Sequence, residues 1–124
     1  MSIEYMDTEA WQTITNDIET KIIIGEYRAG ERLPSIRTLV EHYRLSQWTV
    51  QRALERLAKE GILVMNRGKG YFVKPLVQND LLNKRRKKLQ KIIMDALIAG
   101  ERVGFSEEEL LAPYHKHRLK TAED

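Results

Sequence analysis

The sequence predicts a mainly α fold with a small β-wing, a winged helix-turn-helix followed by a short two-helix tail. Three observations predict it. Residues 35–60 hold two apolar helical patterns split by a tight turn. Residues 62–73 hold two β-rich runs on either side of a glycine-rich basic stretch. Beyond Pro75, helical patterning resumes and runs to Leu111.

The first helix is predicted to start at Asp7 or Thr8. Trp11, Ile14, Ile18 and Ile22 recur every three or four residues and so share one face, with Ile23 and Ile24 flanking it. Gly25 is the expected stop. Such a stripe is a core face, and a Trp11 that stacks on a ligand is the alternative. Residues 26–32 read as a turn-rich connector. It ends at Leu33-Pro34, where the proline ring biases Leu33 away from helical backbone.

Ser35 opens the second helix as an N-cap, because its hydroxyl can accept from the orphan amides of the first turn. Ile36, Leu39, Val40 and Tyr43 supply the apolar face. Arg44-Leu45 forms the turn, and Ser46 caps a third helix with Val50, Ala53, Leu54, Leu57 and Ala58 on its inner side. Gly61 sits where a helix end favours a left-handed residue. Ile62-Leu63-Val64-Met65 and Tyr71-Phe72-Val73 then pair as a hairpin around residues 66–70, Asn-Arg-Gly-Lys-Gly.

In the tail, Asn79 or Asp80 is expected to cap a helix. Its apolar positions are Leu81, Leu82, Leu89, Ile92, Ile93, Ala96 and Leu97. Residues 100–104, Gly-Glu-Arg-Val-Gly, should break it. Ser106 and Glu109 have capping-box spacing ahead of Leu110 and Leu111. Pro113 falls inside this last helix and should kink or shorten it. Two helices of this length cannot enclose a small-molecule pocket alone, but they can bury an apolar stripe against a twin. A homodimer through the tail is therefore expected.

At 124 residues, 42% hydrophobic and 31% charged, the composition is that of one small globular domain with an appendage. There is no cysteine, which excludes disulfides and thiolate metal sites. The opening Met-Ser-Ile-Glu-Tyr is neither basic nor apolar, so no signal peptide is expected, and no run reaches bilayer length. The default location is the cytoplasm. The net charge of +3 is unevenly spread: residues 1–27 carry −5 and residues 28–74 carry +6. A basic helix-turn-helix and wing suit a polyanion; ordinary charge scatter is the alternative. No nucleophile–base motif, phosphate loop or paired acids point to an enzyme. His115 and His117, two apart on a helix, face different ways, and His42 stands alone, so no metal or cofactor is expected.

The outer face of the third helix carries Gln47, Trp48, Gln51, Arg52 and Glu55. Gln has the fork that pairs with adenine and Arg the fork that pairs with guanine. A merely solvated face is the alternative. Arg67 and Lys69 flank Gly68 at the wing tip, with Gly70 behind. Glycines there let backbone approach a phosphate, and the basic pair can reach a groove rim. Lys84-Arg85-Arg86-Lys87-Lys88, with Lys91, is either a solvated face or a phosphate patch.

Residues 11–73 resemble the N-terminal DNA-binding domain of the GntR family of bacterial transcription regulators. The resemblance lies in Ile23-Ile24-Gly25-Glu26-Tyr27, in Gly30 to Ser35, in Arg37, in Ser46 with Thr49-Val50, in Ala53-Leu54, Leu57 and Glu60-Gly61, and in Gly68 to Val73. It implies a DNA-binding domain over residues 7–75, with double-stranded DNA as partner. It also implies that Arg37 contacts DNA and that Thr49 contacts a backbone phosphate. An Arg37–Glu41 pair and a back-bond of Thr49 to its own helix are the alternatives. Better-known members carry Arg where Gln47 and Gln51 stand here, which shifts the expected readout towards adenine. Trp48 replaces a small polar residue. Its ring can press on a thymine methyl or the sugar-phosphate wall, or fold back onto Tyr43. Arg52 can reach DNA or pair with Glu55.

Residues 76–124 resemble the tail of the YtrA-like branch, whose short helices dimerise. That implies a two-fold operator, a role more often repressing than activating, and control of transport-related operons. A protein-interaction module and a non-specific nucleic-acid binder are the rival readings. The sequence names no small-molecule effector.

Overall fold

The computed structural model describes residues 3–123, with side chains from Ala10 to Ala122; part of the opening segment read above for a targeting signal lies outside the described residues. Five helices and one hairpin follow in order. They are α1 (Ile3–Ile23), α2 (Ile36–Tyr43), α3 (Gln47–Lys59), β1 (Leu63–Asn66), β2 (Gly70–Val73), α4 (Gln78–Arg102) and α5 (Glu107–Glu123). The architecture is mainly helical with a two-stranded wing, as the sequence predicts. The chain divides into two compact units, Met1–Asn83 and Lys84–Asp124.

The first unit is built on one core. Ile14, Ile18 and Ile22 of α1 bury together with Leu39 of α2, with Val50, Ala53, Leu54 and Leu57 of α3, and with Ile62, Leu63 and Val73 at the base of the wing. Each fully buried aliphatic side chain contributes about 2 kcal/mol of transfer free energy, so the shared stripe is the main hold between these elements. The stripe on α1 falls on the predicted residues. The helix itself starts earlier than Asp7, since nothing in residues 3–6 breaks a helix.

The turns explain how the pieces are aimed. Ser35 Oγ accepts from the Thr38 amide and Ser46 Oγ accepts from the Thr49 amide, each at 3.1 Å. Between them Arg44 takes left-handed backbone at φ 56° and its amide closes onto Val40 O at 2.8 Å. That reverses the chain in three residues between α2 and α3. At the end of α3, Gly61 has φ 80°. Its amide returns to Ala58 O, and the Ile62 amide to Leu57 O, with both Ile62 and Leu57 buried. This glycine stop turns the chain straight into the wing.

In the wing, Leu63 pairs with Val73, Val64 with Phe72, Met65 with Tyr71 and Asn66 with Gly70. Arg67, Gly68 and Lys69 form the tip, closed by the Lys69 amide on Asn66 O at 2.9 Å. The connector before α2 is more ordered than its turn-rich sequence suggests. Arg32 bridges to Phe72, Leu33 N donates to Tyr71 O and Val73 N donates to Glu31 O, so residues 30–33 run along the free edge of β2. A bridge this short leaves no alternation for a sequence pattern to reveal.

The tail departs from expectation at three points. α4 begins at Gln78 rather than after Asn79 or Asp80, because the Gln78 side-chain amide donates to Ile23 O at 2.9 Å and Leu81 is drawn into the core. That bond satisfies a carbonyl at the open end of α1. Gly100 does not break α4. It is buried within the helix because the Leu110 side chain lies where its Cβ would be. The stop is Gly104, at φ 89°, with the Phe105 amide on Gly100 O. The capping box then forms: Ser106 Oγ accepts from the Glu109 amide at 3.1 Å, and Glu109 Oε1 accepts from the Ser106 amide at 3.3 Å. Pro113 does not shorten α5, which continues through it at the cost of one helical bond.

Candidate nucleic-acid interface

The candidate residues stand on three consecutive features of the first unit: the start of α2, the outer face of α3 and the wing tip. α3 is pinned on one side by Val50, Ala53, Leu54 and Leu57. The opposite side, Gln47, Trp48, Gln51, Arg52 and Glu55, is exposed. Burial of the inner face therefore fixes which residues α3 presents.

Arg37 is 92% exposed on the first turn of α2, with its Nε 3.9 Å from Glu41 Oε1. A fully solvated pair at that distance contributes almost nothing, so the guanidinium is free to choose a better anion. Gln51 Nε2 donates to Glu55 Oε1 at 3.1 Å, four residues on. This bond occupies Glu55, and no ion pair of Arg52 is present among the described residues.

Arg52 instead lies over two indoles, with its guanidinium carbon 5.2 Å from the ring centroid of Trp11 on α1 and 5.2 Å from that of Trp48 on α3. Arg56, bonded to Glu60 at 2.9 Å, is also over Trp11, at 6.0 Å. The Trp11 indole N–H is buried and has no acceptor among the described residues, so the ring is held by packing of its faces. Trp48 keeps 59% of its surface exposed. It does not fold back onto Tyr43, whose hydroxyl donates to Asp17 Oδ2 at 2.6 Å and whose ring meets His42 edge-on.

Thr49 sits where the resemblance expected a phosphate contact, yet it is only 3% exposed. Its hydroxyl is 2.8 Å from Ser46 Oγ. The neighbouring Ser46, like Ser35, is exposed at a helix start whose orphan amides and dipole suit an anion. At the wing tip Arg67, Gly68 and Lys69 are exposed and Gly70 is half-buried beside Arg32. Gly68 and Gly70 take φ of 78° and 104°, which strains any other residue.

α1 and α2 are tied by a polar cluster. Asp17 accepts from Tyr43 and pairs with Lys21 at 3.3 Å, while Lys21 Nζ lies over the Tyr27 and Tyr43 rings. Burial alone raises the Asp17 carboxyl. The Tyr43 and Lys21 hydrogen bonds and the Lys21 charge outweigh it and hold the carboxyl below its ordinary 3.8. Burial, and then the same carboxylate, push the Tyr43 phenol far above its ordinary value.

Sequence reasoning missed the contact of Trp11 with Arg52; it placed Trp11 on the core stripe, with stacking on a ligand as the alternative. No local spacing joins Trp11 to Arg52; only the packing of α1 on α3 does. In the tail, Leu82, Leu89, Ile92, Ile93 and Ala96 are exposed and Leu97 half-buried. Leu110, 38% exposed, packs on Gly100 of its own chain, and Leu111 is half-buried.

Two serine-capped helices in a tight turn, a polar outer face on the second and a glycine-bent basic wing define a DNA-binding winged-helix protein. Comparison with known proteins gives its family. Residues 11–73 match the model of "Bacterial regulatory proteins, gntR family". Over 111 residues the chain is 37% identical to the histidine utilization repressor of Klebsiella aerogenes, covering 89% of this chain and 38% of that protein. A GntR family transcriptional regulator from Listeria monocytogenes superposes with TM-score 0.72 at 27% identity, over 86% of this chain and 92% of that one. YtrA from Sulfolobus acidocaldarius, a GntR-family transcription factor, superposes with TM-score 0.51 at 30% identity, over 65% and 85% of the two chains.

The chain belongs to the gntR family of bacterial regulatory proteins, which are DNA-binding transcription regulators and not enzymes. Matches to curated relatives cover as little as 24% of their length, and 38% for the Klebsiella repressor. Among the described residues no helix is long and apolar enough to cross a membrane.

Proposed function

We propose that this chain is a sequence-specific repressor of an operon, working in the cytoplasm as a homodimer on a two-fold operator. The observation that carries the reading is the outer face of α3. Its glutamines, tryptophan and arginine are exposed beside a basic wing, while the inner face is locked in the core. In this reading Gln47 and Gln51 pair with base edges, with adenine the best match to their forks. Arg37 and the exposed helix starts at Ser35 and Ser46 engage backbone phosphates. Thr49, with its hydroxyl spent on Ser46, fixes that cap rather than reaching the duplex itself. Arg67 and Lys69 grip the adjacent groove rim, and Gly68 and Gly70 allow the close approach.

Residues 76–124 form the dimerisation region in this reading. Leu82, Leu89, Ile92, Ile93 and Ala96 are exposed apolar positions on α4, with Leu97, Leu110 and Leu111 at their margin. Such a surface is costly in water and is relieved by a second copy. Similarity to a protein named a repressor supports repression, and the short dimerising tail rests on the family resemblance and on the exposed apolar positions of α4. Control of transport-related genes rests on the family resemblance.

A second reading, a non-specific nucleic-acid binder, draws on Lys84, Lys87, Lys88 and Lys91, which share one face of α4 opposite Leu89 and Ile93. Selection of duplexes from a random pool at near-physiological salt separates the two. An enriched two-fold motif, with adenine under α3, is the expected result. Binding without enrichment that vanishes as salt rises favours the second reading. No binding at all favours a protein-interaction module.

A further inference from the structure

The two tryptophans of this protein, Trp11 and Trp48, are 37 residues apart in sequence, and both lie against the same guanidinium. Trp48 and Arg52 are one turn apart on α3, so their meeting is a property of that helix. Trp11 belongs to α1, and its ring reaches Arg52 only because Ile14 and Ile18 of α1 bury against α3. An exposed arginine on a helix ordinarily samples many rotamers. Here the guanidinium carbon lies over both indole rings, 5.2 Å from each centroid, and no carboxylate competes among the described residues, since Glu55 is bonded to Gln51. A guanidinium held over ring faces keeps N–H groups available for an acceptor pair.

We infer that Trp11 is a positioning residue for DNA recognition, holding the Arg52 guanidinium against Trp48 so that Arg52 and Trp48 meet the duplex as one rigid pair. This rests on the sequence-specific reading above. Trp48, an exposed indole on the first turn of the reading helix, takes the apolar C5-methyl of a thymine. Arg52 presents its fork to a pair of acceptors, either guanine O6 and N7 or two phosphate oxygens. Lysine cannot replace it, because an ammonium is a point charge with no plane to stack and no fork to present.

The test measures binding by fluorescence anisotropy to the duplex recovered by selection and to a scrambled duplex of the same composition. Variants are Arg52→Lys, which keeps the charge and leaves the core alone, Trp11→Leu, which keeps an apolar body without a ring, and their combination. Arg52→Lys and Trp11→Leu should each weaken operator binding by about tenfold, the loss expected for one well-placed fork, with scrambled binding little changed for a guanine acceptor and weakened alongside it for a phosphate acceptor. The double variant should be no weaker than Arg52→Lys alone, because Trp11 acts through Arg52.

Should Trp11→Leu fail to fold, Trp48→Phe leaves Trp11 as the sole tryptophan, excited selectively over the tyrosines. Its emission should shift on Arg52→Lys. An unchanged spectrum there overturns the inference. A guanine acceptor shows as lost preference at one base pair; a phosphate acceptor shows as a salt slope reduced by about one on Arg52→Ala. Arg52→Lys binding like wild type, or losses that add in the double variant, overturn the inference and leave the specific reader standing. Wild-type protein that binds operator and scrambled DNA alike overturns both.

Discussion

Ile14, Ile18 and Ile22 on α1, and Leu89, Ile92 and Ile93 on α4, are aliphatic side chains at similar helical spacings. The first three are at most 2% exposed and the last three at least 51% exposed. In the first unit the stripe meets α2, α3 and the wing base, and the core closes. In the second, α4 and α5 meet through Gly100 and Leu110, but most of the stripe stays in water. The same pattern thus has two physical meanings: a finished core where elements surround it, and an unfinished one where they do not.

Core substitutions break this comparison most strongly. Ile18→Ala should cost about 3 kcal/mol of stability in urea denaturation, through lost transfer energy and a cavity. Ile93→Ala should cost the isolated chain well under 1 kcal/mol and act instead on association, read as a higher dissociation constant by sedimentation. Equal losses from the two would mean that the second unit has a closed core after all.

Caps come next. Ser46→Ala should lose about 1 kcal/mol, because the Thr49 amide loses its acceptor and the buried Thr49 hydroxyl loses its partner. Ser106→Ala removes a capping box of similar geometry in the tail, so its effect should be seen in the helical content of α5 and not in the unfolding midpoint of the first unit. A shift of that midpoint by Ser106→Ala would couple the two units.

The smallest effect concerns Asp17. Its folded carboxyl titrates below its unfolded value, so its contribution is fully present above about pH 3.8 and fades as pH falls through the folded pKa. Asp17→Asn should therefore be less stable than wild type at pH 7, with the gap narrowing below pH 3.8 in denaturation midpoints. A gap that is constant with pH would assign the loss to packing alone.

How much was legible follows the range of each interaction. Ser35, Ser46, Gly61 and the Ser106–Glu109 box act within a few residues, and their types and spacing announced the helix-turn-helix, its wing and the second tail helix. The stripes at Ile14–Ile18–Ile22 and Val50–Leu57 were equally plain. The bridge of Arg32 to Phe72, the burial of Gly100 under Leu110, the Gln78–Ile23 bond that starts α4 early, and the contact of Trp11 with Arg52 all join residues that no periodicity connects. Within the candidate interface the types of Gln47, Trp48 and Gln51 were readable. The burial of Thr49 and the companionship of Arg52 were not, since both depend on how α3 lies on its neighbours.

The central claim is that the closed unit reads DNA while the open stripe pairs two copies. The most direct measurement is the mass of the complex between this protein and a single selected operator duplex, by analytical ultracentrifugation. Wild type should place two chains on each duplex. Leu89→Asp with Ile93→Asp should reduce this to one chain on a half-site, with the first unit still folded. One wild-type chain per duplex, or two chains retained by the double variant, would contradict the claim.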